Sequence, residues 1–161
     1  MTDPYRSLKN AFGRYATGVT VISCINGAAT PTAITVNSFS SVSLEPPLVM
    51  WCIDKKASAF ETFYAADHYA VSVLPAGAED VSNRFASHAP EPISDAESER
   101  WISGAPLLAD RIAGFDCRVT DRHDAGDHVI LVGEVLKFDC ADGAPLLYYA
   151  SAYASGPEAQ R

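Results

Sequence analysis

Most of the chain alternates or runs unbroken in apolar residues, and apolar positions fall at helical spacing in only a few short places. Leu8, Ala11, Phe12 and Tyr15 follow an i, i+3, i+4, i+7 pattern, one face of an amphipathic helix, with Gly18 as its stop. Residues 19–25 are rich in β-branched side chains and predict a strand. Asn26-Gly27 is a hairpin-turn pair, and residues 30–39 return as a second strand. Residues 48–53 are almost wholly apolar and predict a third strand, buried on both faces. A helix is expected over 59–66, with Ser58 as N-cap and Glu61 three residues on completing a capping box. Residues 69–74 predict a strand, and 78–87 a short helix with Val81 and Phe85 on one face. Two long strands, 112–121 and 128–139, flank a turn at 124–127, and 144–149 supply a last short strand.

Between them lies a polar stretch, 88–104, with Pro90, Pro92 and several acidic residues, expected to be an exposed mobile loop pinned at its end by Trp101. Residues 157–161 are small and polar and are expected to fray. No internal repeat appears, and 161 residues fit one domain, 1–161, large enough for a true core. Strands dominate and helices are few, so the expected class is mainly β, an antiparallel barrel with flanking helices.

Charge narrows the function. Acidic residues outnumber basic ones 20 to 12, a formal charge of -8. Nucleic acid rewards clustered Lys and Arg, so it is not an expected partner, and an anionic membrane surface is disfavoured too. No run approaches the roughly 18 apolar residues of a membrane helix. The start has no apolar signal region, and the expected compartment is the cytoplasm. Cys24, Cys52, Cys117 and Cys140 form no Cys-x-x-Cys pair and the four histidines are scattered, so no metal site is expected. There is no Gly-x-Ser-x-Gly, no phosphate-binding P-loop and no Gly-x-Gly-x-x-Gly, so any nicotinamide is used outside the dinucleotide-binding fold.

The most informative stretch is 35–49, which sets Thr35, Asn37, Ser38, Ser40, Ser41 and Ser43 between apolar runs and ends in Pro46-Pro47. A strand end so rich in hydroxyls reads either as a surface loop with local Ser-to-backbone bonds or as a cradle for an anion. The Ser58 helix start, with Lys55 and Lys56 before it, reads either as a simple cap or as an anion site.

That stretch, together with Phe12-Gly13-Arg14-Tyr15-Ala16-Thr17-Gly18, Asn83-Arg84-Phe85-Ala86, Gly126-Asp127-His128 and Pro145-Leu146-Leu147-Tyr148-Tyr149, resembles the flavin reductase-like family of FMN-binding split barrels. The likeness runs over most of the chain in the family's order. It implies a split β-barrel of six or seven antiparallel strands, a homodimer with flavin near the subunit interface, and NAD(P)H-dependent reduction of FMN or FAD. It also implies a partner monooxygenase reached by diffusing reduced flavin. The resemblance places the flavin against Thr35, Val36, Asn37, Ser38, Ser40 and Ser41, its phosphate near Lys55 and Ser58, and Arg84, Phe85 and Ala86 beside it. It gives His128 the catalytic role at the nicotinamide. Tyr148, Tyr149 and Tyr153 are candidates for ring contacts, with Tyr153 assigned to NAD(P)H. Ala33 stands where many relatives carry glycine, which tightens the approach to the flavin ring, and Ala57 and Ala59 stand where hydroxyl residues are frequent, which favours a loosely held flavin. A flavin-binding or electron-transfer protein without turnover is the alternative. A pyridoxamine-phosphate oxidase-like activity is less consistent with so few basic residues. FMN versus FAD and NADH versus NADPH stay open.

Overall fold

The computed structural model describes residues 3–25, 27 and 29–158. Its main element is a seven-stranded antiparallel sheet. In chain order its strands are β2 (Thr20–Ile25), β3 (Pro31–Val36), β4 (Ser40–Leu44), β5 (Pro47–Asp54), β6 (His68–Val73), β9 (Ala113–Ala125) and β10 (His128–Cys140), arranged β3-β2-β6-β9-β10-β5-β4. Two smaller sheets complete the chain. One joins β1 (Thr17–Gly18), β11 (Leu146–Tyr149) and β12 (Ala152–Ser155), and the other pairs β7 (Ser98–Arg100) with β8 (Pro106–Leu108). Three short helices lie outside: α1 (Arg6–Phe12), α2 (Phe60–Ala65) and α3 (Glu79–Ala86). The end strands β3 and β4 do not pair with each other, so the curled sheet is a split barrel, as the resemblance implied.

Two apolar cores lie on opposite faces of β2. Ile22 and Cys24 face a first core with Val49, Trp51, Ile53, Phe63, Tyr69, Cys117, Val129 and Leu131. Val21, with Val19 just before the strand, faces a second core with Leu74, Phe85, Ile93, Leu108 and Leu146. Strand side chains alternate between faces, and β2 is buried on both from Thr20 to Cys24, its two polar residues Thr20 and Ser23 donating to the Val36 and Pro106 carbonyls. The same expectation fails for β5. It buries Val49, Trp51 and Ile53, while Leu48, Met50 and Cys52 are only half-covered, because nothing in the chain packs fully over that face.

Elsewhere the structure sharpens or corrects the sequence reading. The strand expected over 30–39 breaks after Val36, and a separate strand β4 follows. The helix near the start ends at Phe12, with Gly13 as its C-cap, and Gly18 lies in β1. None of that helix is buried: Leu8 is 50% and Phe12 68% exposed, and Tyr15 beyond it 78%. Ser58 is not a cap; α2 starts later with Ala59 at its cap and no side-chain capping bond. The 88–104 stretch is more ordered than expected: Ile93 is buried, Ser94 and Glu97 form a capping box, and β7 pairs with β8. Trp101 does pin its end, packing on Ala70, Ala105 and Leu107. Asn26 and residues 159–161 of the expected tail lie outside the described residues.

The hairpin between β9 and β10 is closed by two residues, Gly126 and Asp127, with Ala125 opposite His128. Gly126 sits at φ 68°, the left-handed region that glycine enters freely.

Candidate functional site

Three clefts run in series along the seam beside β3. The first, about 490 Å³, lies between Ala33 and Thr35 of β3, the Ala57–Ala59 turn and the end of α3, and is roofed by His88, Pro90, Glu91 and Pro92. The second, about 200 Å³, is lined by Thr35, Asn37, Ser82, Ala86, Tyr148 and Tyr153. The third, about 730 Å³, lies between the 37–40 segment and the start of the chain, with Phe12, Tyr15, Thr17 and Tyr148 among its walls. Thr35 and Ala86 belong to the first two clefts, Asn37 and Tyr148 to the last two, so the three form one groove.

Local sequence explains the groove. The chain leaves β3 after Val36 and crosses over through Asn37, Ser38 and Phe39 to reach the opposite edge of the sheet. Ser38 clasps this crossover: its Oγ accepts from the Cys52 N–H at 2.9 Å and donates to the Cys52 carbonyl at 3.2 Å. Thr35 Oγ1 donates to the Ser82 carbonyl at 2.7 Å, tying β3 to α3. Tyr153 Oη donates to Asn83 Oδ1 at 3.0 Å and shares a 2.8 Å hydrogen bond with Ser82 Oγ, tying β12 to the same helix. Ser58 Oγ donates to the His88 carbonyl at 2.7 Å, across the first cleft.

The residues singled out from sequence divide by place. Thr35, Val36, Asn37, Ser38, Ser40, Ser58, Phe85, Ala86 and Tyr153 all line the groove. Phe85 is also a core residue, 1% exposed. Ser41 lies outside the groove, exposed on β4, where its carbonyl accepts from Ser40 Oγ. Arg84 turns away from the groove: its guanidinium grips Glu97 with two hydrogen bonds and stacks over the Phe85 ring. Lys55 and His128 meet at the β9–β10 hairpin instead. Lys55 donates through its main-chain N–H to the Asp127 carbonyl and through Nζ to the Gly126 carbonyl, and it pairs with Asp124. His128 stands opposite Asp54 in the ladder, half-exposed, with Nδ1 2.8 Å from Asp127 Oδ1. That hydrogen bond holds the Asp127 carboxyl below its usual range. The 54–58 turn links this hairpin to the wall of the first cleft.

Sequence reasoning missed Thr17, Ser82 and the His88–Pro92 roof. Ser82 is a fully buried polar residue on a helix, which periodicity alone reads as a solvent position. Pro90-Glu91-Pro92, a stiff acidic segment, was the one visible signal for the roof.

A flavin and a nicotinamide fit this groove on three grounds. Alanines at 33, 57, 59 and 86 leave its first cleft open, the aromatic rings of Phe12, Tyr15 and Tyr148 offer flat apolar surface, and Thr17 Oγ1 is buried without a hydrogen-bond partner beside the third cleft. Among the described residues no His, Cys, Asp and Glu cluster is able to hold a metal ion.

Comparison with known proteins agrees with this geometry. The family model described as "Flavin reductase like domain" matches residues 12–157. An FMN reductase (NADH), SmoA, of Agrobacterium fabrum is 42% identical over 92% of this chain and 84% of its own length. The reductase component of a flavin-dependent trigonelline monooxygenase from Acinetobacter baylyi is 40% identical over 92% of this chain, which spans about half (48%) of that relative. The NADH:FAD oxidoreductase SgcE6 of Streptomyces globisporus, solved with NAD and FAD fragments, superposes with a TM-score of 0.83 at 35% identity over 96% of this chain and 94% of that one. The chain belongs to the flavin reductase-like family.

Proposed function

We propose that this chain serves as the reductase of a two-component system, working as a homodimer and releasing reduced flavin to a separate monooxygenase. Its activity is that of its family: reduction of FMN or FAD by a reduced nicotinamide. The continuous groove is the observation that carries the reading, because two flat cofactors must lie together for hydride to pass. The bound flavin supplies the redox chemistry by accepting the nicotinamide's hydride.

The chain's own residues bind and orient. Ser38 fixes the 37–39 crossover, so that Asn37 and the neighbouring main chain present polar atoms to the flavin. Thr35 and Ser82 hold the groove's floor against α3. Tyr153 and Tyr148 meet edge to face, with ring centroids 5.5 Å apart, and wall the narrow middle of the groove. Ser58 meets the phosphate end, and Lys55 and His128 act from the hairpin, where His128 orients the nicotinamide. Removing translational freedom from two bound reactants lowers the barrier with little covalent chemistry by the protein.

Homodimerisation is supported by uncovered apolar surface. Leu8, Phe12 and Tyr15 are exposed beside the third cleft, Leu44 of the edge strand β4 is 89% exposed, and β5 is half-covered on one face. Clustered exposed apolar groups of this kind mark an interface. The cytoplasm remains the expected compartment; among the described residues no helix is long and apolar enough to cross a membrane.

The test is to mix purified protein with FMN, then FAD, and follow NADH and NADPH absorbance under air. Many turnovers per protein with free flavin establish the diffusing reductase. Tight flavin binding without turnover favours a flavin carrier instead.

A further inference from the structure

The roof of the first cleft carries a charge of the wrong sign for a phosphate. Among the described residues, the only Asp, Glu, Lys or Arg lining that cleft is Glu91, and the only other ionisable side chain is His88. The nearest cations are committed elsewhere or lie outside: Arg84 pairs with Glu97, Lys55 with Asp124, and Lys56 is exposed on the approach turn. Of the hydroxyls that line this cleft, those of Thr35, Ser58 and Ser87 already donate to main-chain carbonyls.

Glu91 is also held in place. On its N-terminal side the His88 carbonyl is tied to Ser58. On its C-terminal side Ile93 is 3% exposed in the second core, and Glu97 is gripped by Arg84. Pro90 and Pro92 flank it, each with its own φ fixed near -65°, which stiffens the main chain on either side of Glu91. The main chain that carries Glu91 is thus anchored at the cleft's roof, while its exposed carboxylate keeps its side-chain torsions.

We propose that Glu91 sets the flavin preference of this reductase by discriminating against a phosphomonoester dianion. The inference rests on the flavin reading above. FMN ends in a phosphomonoester, which carries between -1.5 and -2 charges near neutral pH by analogy with phosphorylated side chains (second pKa about 6). FAD divides its two charges over a diphosphate, one on the phosphate at the same point of the chain and one on the phosphate beyond it, and riboflavin carries none. The named relatives divide between FMN and FAD, so descent alone does not set the preference. The acid is exposed, so solvent screens it and the effect is modest.

The experiment is an equilibrium titration of the full-length protein with riboflavin, FMN and FAD at pH 7.5 and low salt, repeated for Glu91→Gln and Glu91→Lys. FAD binds the native protein more tightly than FMN. E91Q tightens FMN by about two- to fivefold, E91K by more, and riboflavin stays within error. The gain shrinks in about 0.5 M salt as the charges are screened. Equal shifts for FMN and riboflavin, or no shift for either, overturn the role of Glu91 while leaving the reductase intact. No binding of any of the three flavins overturns the flavin reading itself, and this inference with it.

Discussion

Arg84 and Glu97 face each other as a fork on a fork, Nη1 to Oε2 at 3.0 Å and Nη2 to Oε1 at 2.9 Å. The pair joins the helix that floors the groove to the strap that roofs it. Glu97 is also the third residue of the Ser94 capping box and accepts from the Ser94 N–H at 2.7 Å. One carboxylate therefore closes the short helical turn at the base of the strap and anchors it to α3.

This pair sets an acid limit for the strap. Arg84, and after it the Ser94 N–H, hold the Glu97 carboxyl below its ordinary 4.5. A carboxyl depressed in the folded state contributes stability that is complete above the unfolded value and lost as pH falls through the folded one. Protease cleavage within 88–97 is expected to be slow above about pH 4.5 and to rise below it. Glu97→Gln should cleave readily even at pH 7, with little further change in acid. Arg84→Ala should cost about 1–2 kcal/mol and lower Tm by several degrees.

Gly133 is predicted to tolerate no side chain. It lies in β10 directly against Tyr69, and a Cβ there would overlap the Tyr69 hydroxyl and the ring carbon that bears it. Tyr69 has little room to move: it is 1% exposed and packs edge-on against Trp51, with centroids 5.8 Å apart. Overpacking of this kind costs about 1–3 kcal/mol. Gly133→Ala should fall in that range by denaturant titration, and Tyr69→Leu combined with it should cost clearly less than the sum of the two single changes. Additive costs would show that the two positions do not collide.

These two predictions come from opposite ends of what the sequence disclosed. The long strands were legible because burial imposes alternation: β10 buries Val129, Leu131 and Gly133 in turn, although its pattern did not say which set faces inward, and Phe85 is the core residue its spacing implied. The short strands β4, β7, β8 and β12 were not, because three to five residues held by pairing carry no readable period. At the site, the resemblance marked segments of which the fold brings 35–40, 85–86 and Tyr148 to one groove and leaves 126–128 at the hairpin, and it did not mark what each side chain bonds to. Ser58 looked like a cap from its offset to Glu61, yet its hydroxyl reaches His88, thirty positions away in the chain. Arg84 looked free beside the cofactor, and its partner Glu97 lies in a segment whose polarity read as loop.

Ser38 is expected to matter twice. Its hydroxyl satisfies both polar main-chain groups of Cys52 and so holds the crossover to β5. Ser38→Ala leaves that N–H without its partner in a half-buried place, at a cost of about 1–2 kcal/mol. The same change frees Asn37, so flavin should bind several-fold more weakly than the stability loss alone explains. Ser38→Thr, which keeps the hydroxyl, should restore most of both. Normal flavin affinity in a destabilised Ser38→Ala would confine Ser38 to the fold.

His128 gives the last prediction. Its ring is half-exposed at the β9–β10 hairpin, outside the three clefts, and its Nδ1 faces Asp127. That contact fixes the ring's direction and leaves Nε2 for a ligand. In the proposed role it meets the nicotinamide rather than the flavin, so the two affinities should separate. His128→Ala is expected to raise KM for NADH by about fivefold to tenfold, the worth of one hydrogen bond, with flavin affinity unchanged. Asp127→Asn, which keeps a side-chain oxygen beside the ring, should give a smaller rise. If kcat falls while KM holds, His128 acts in the transition state instead, through a proton or a charge rather than through binding. Unchanged kcat and KM for both substrates would remove His128 from the mechanism and leave the hairpin as a structural end of the barrel.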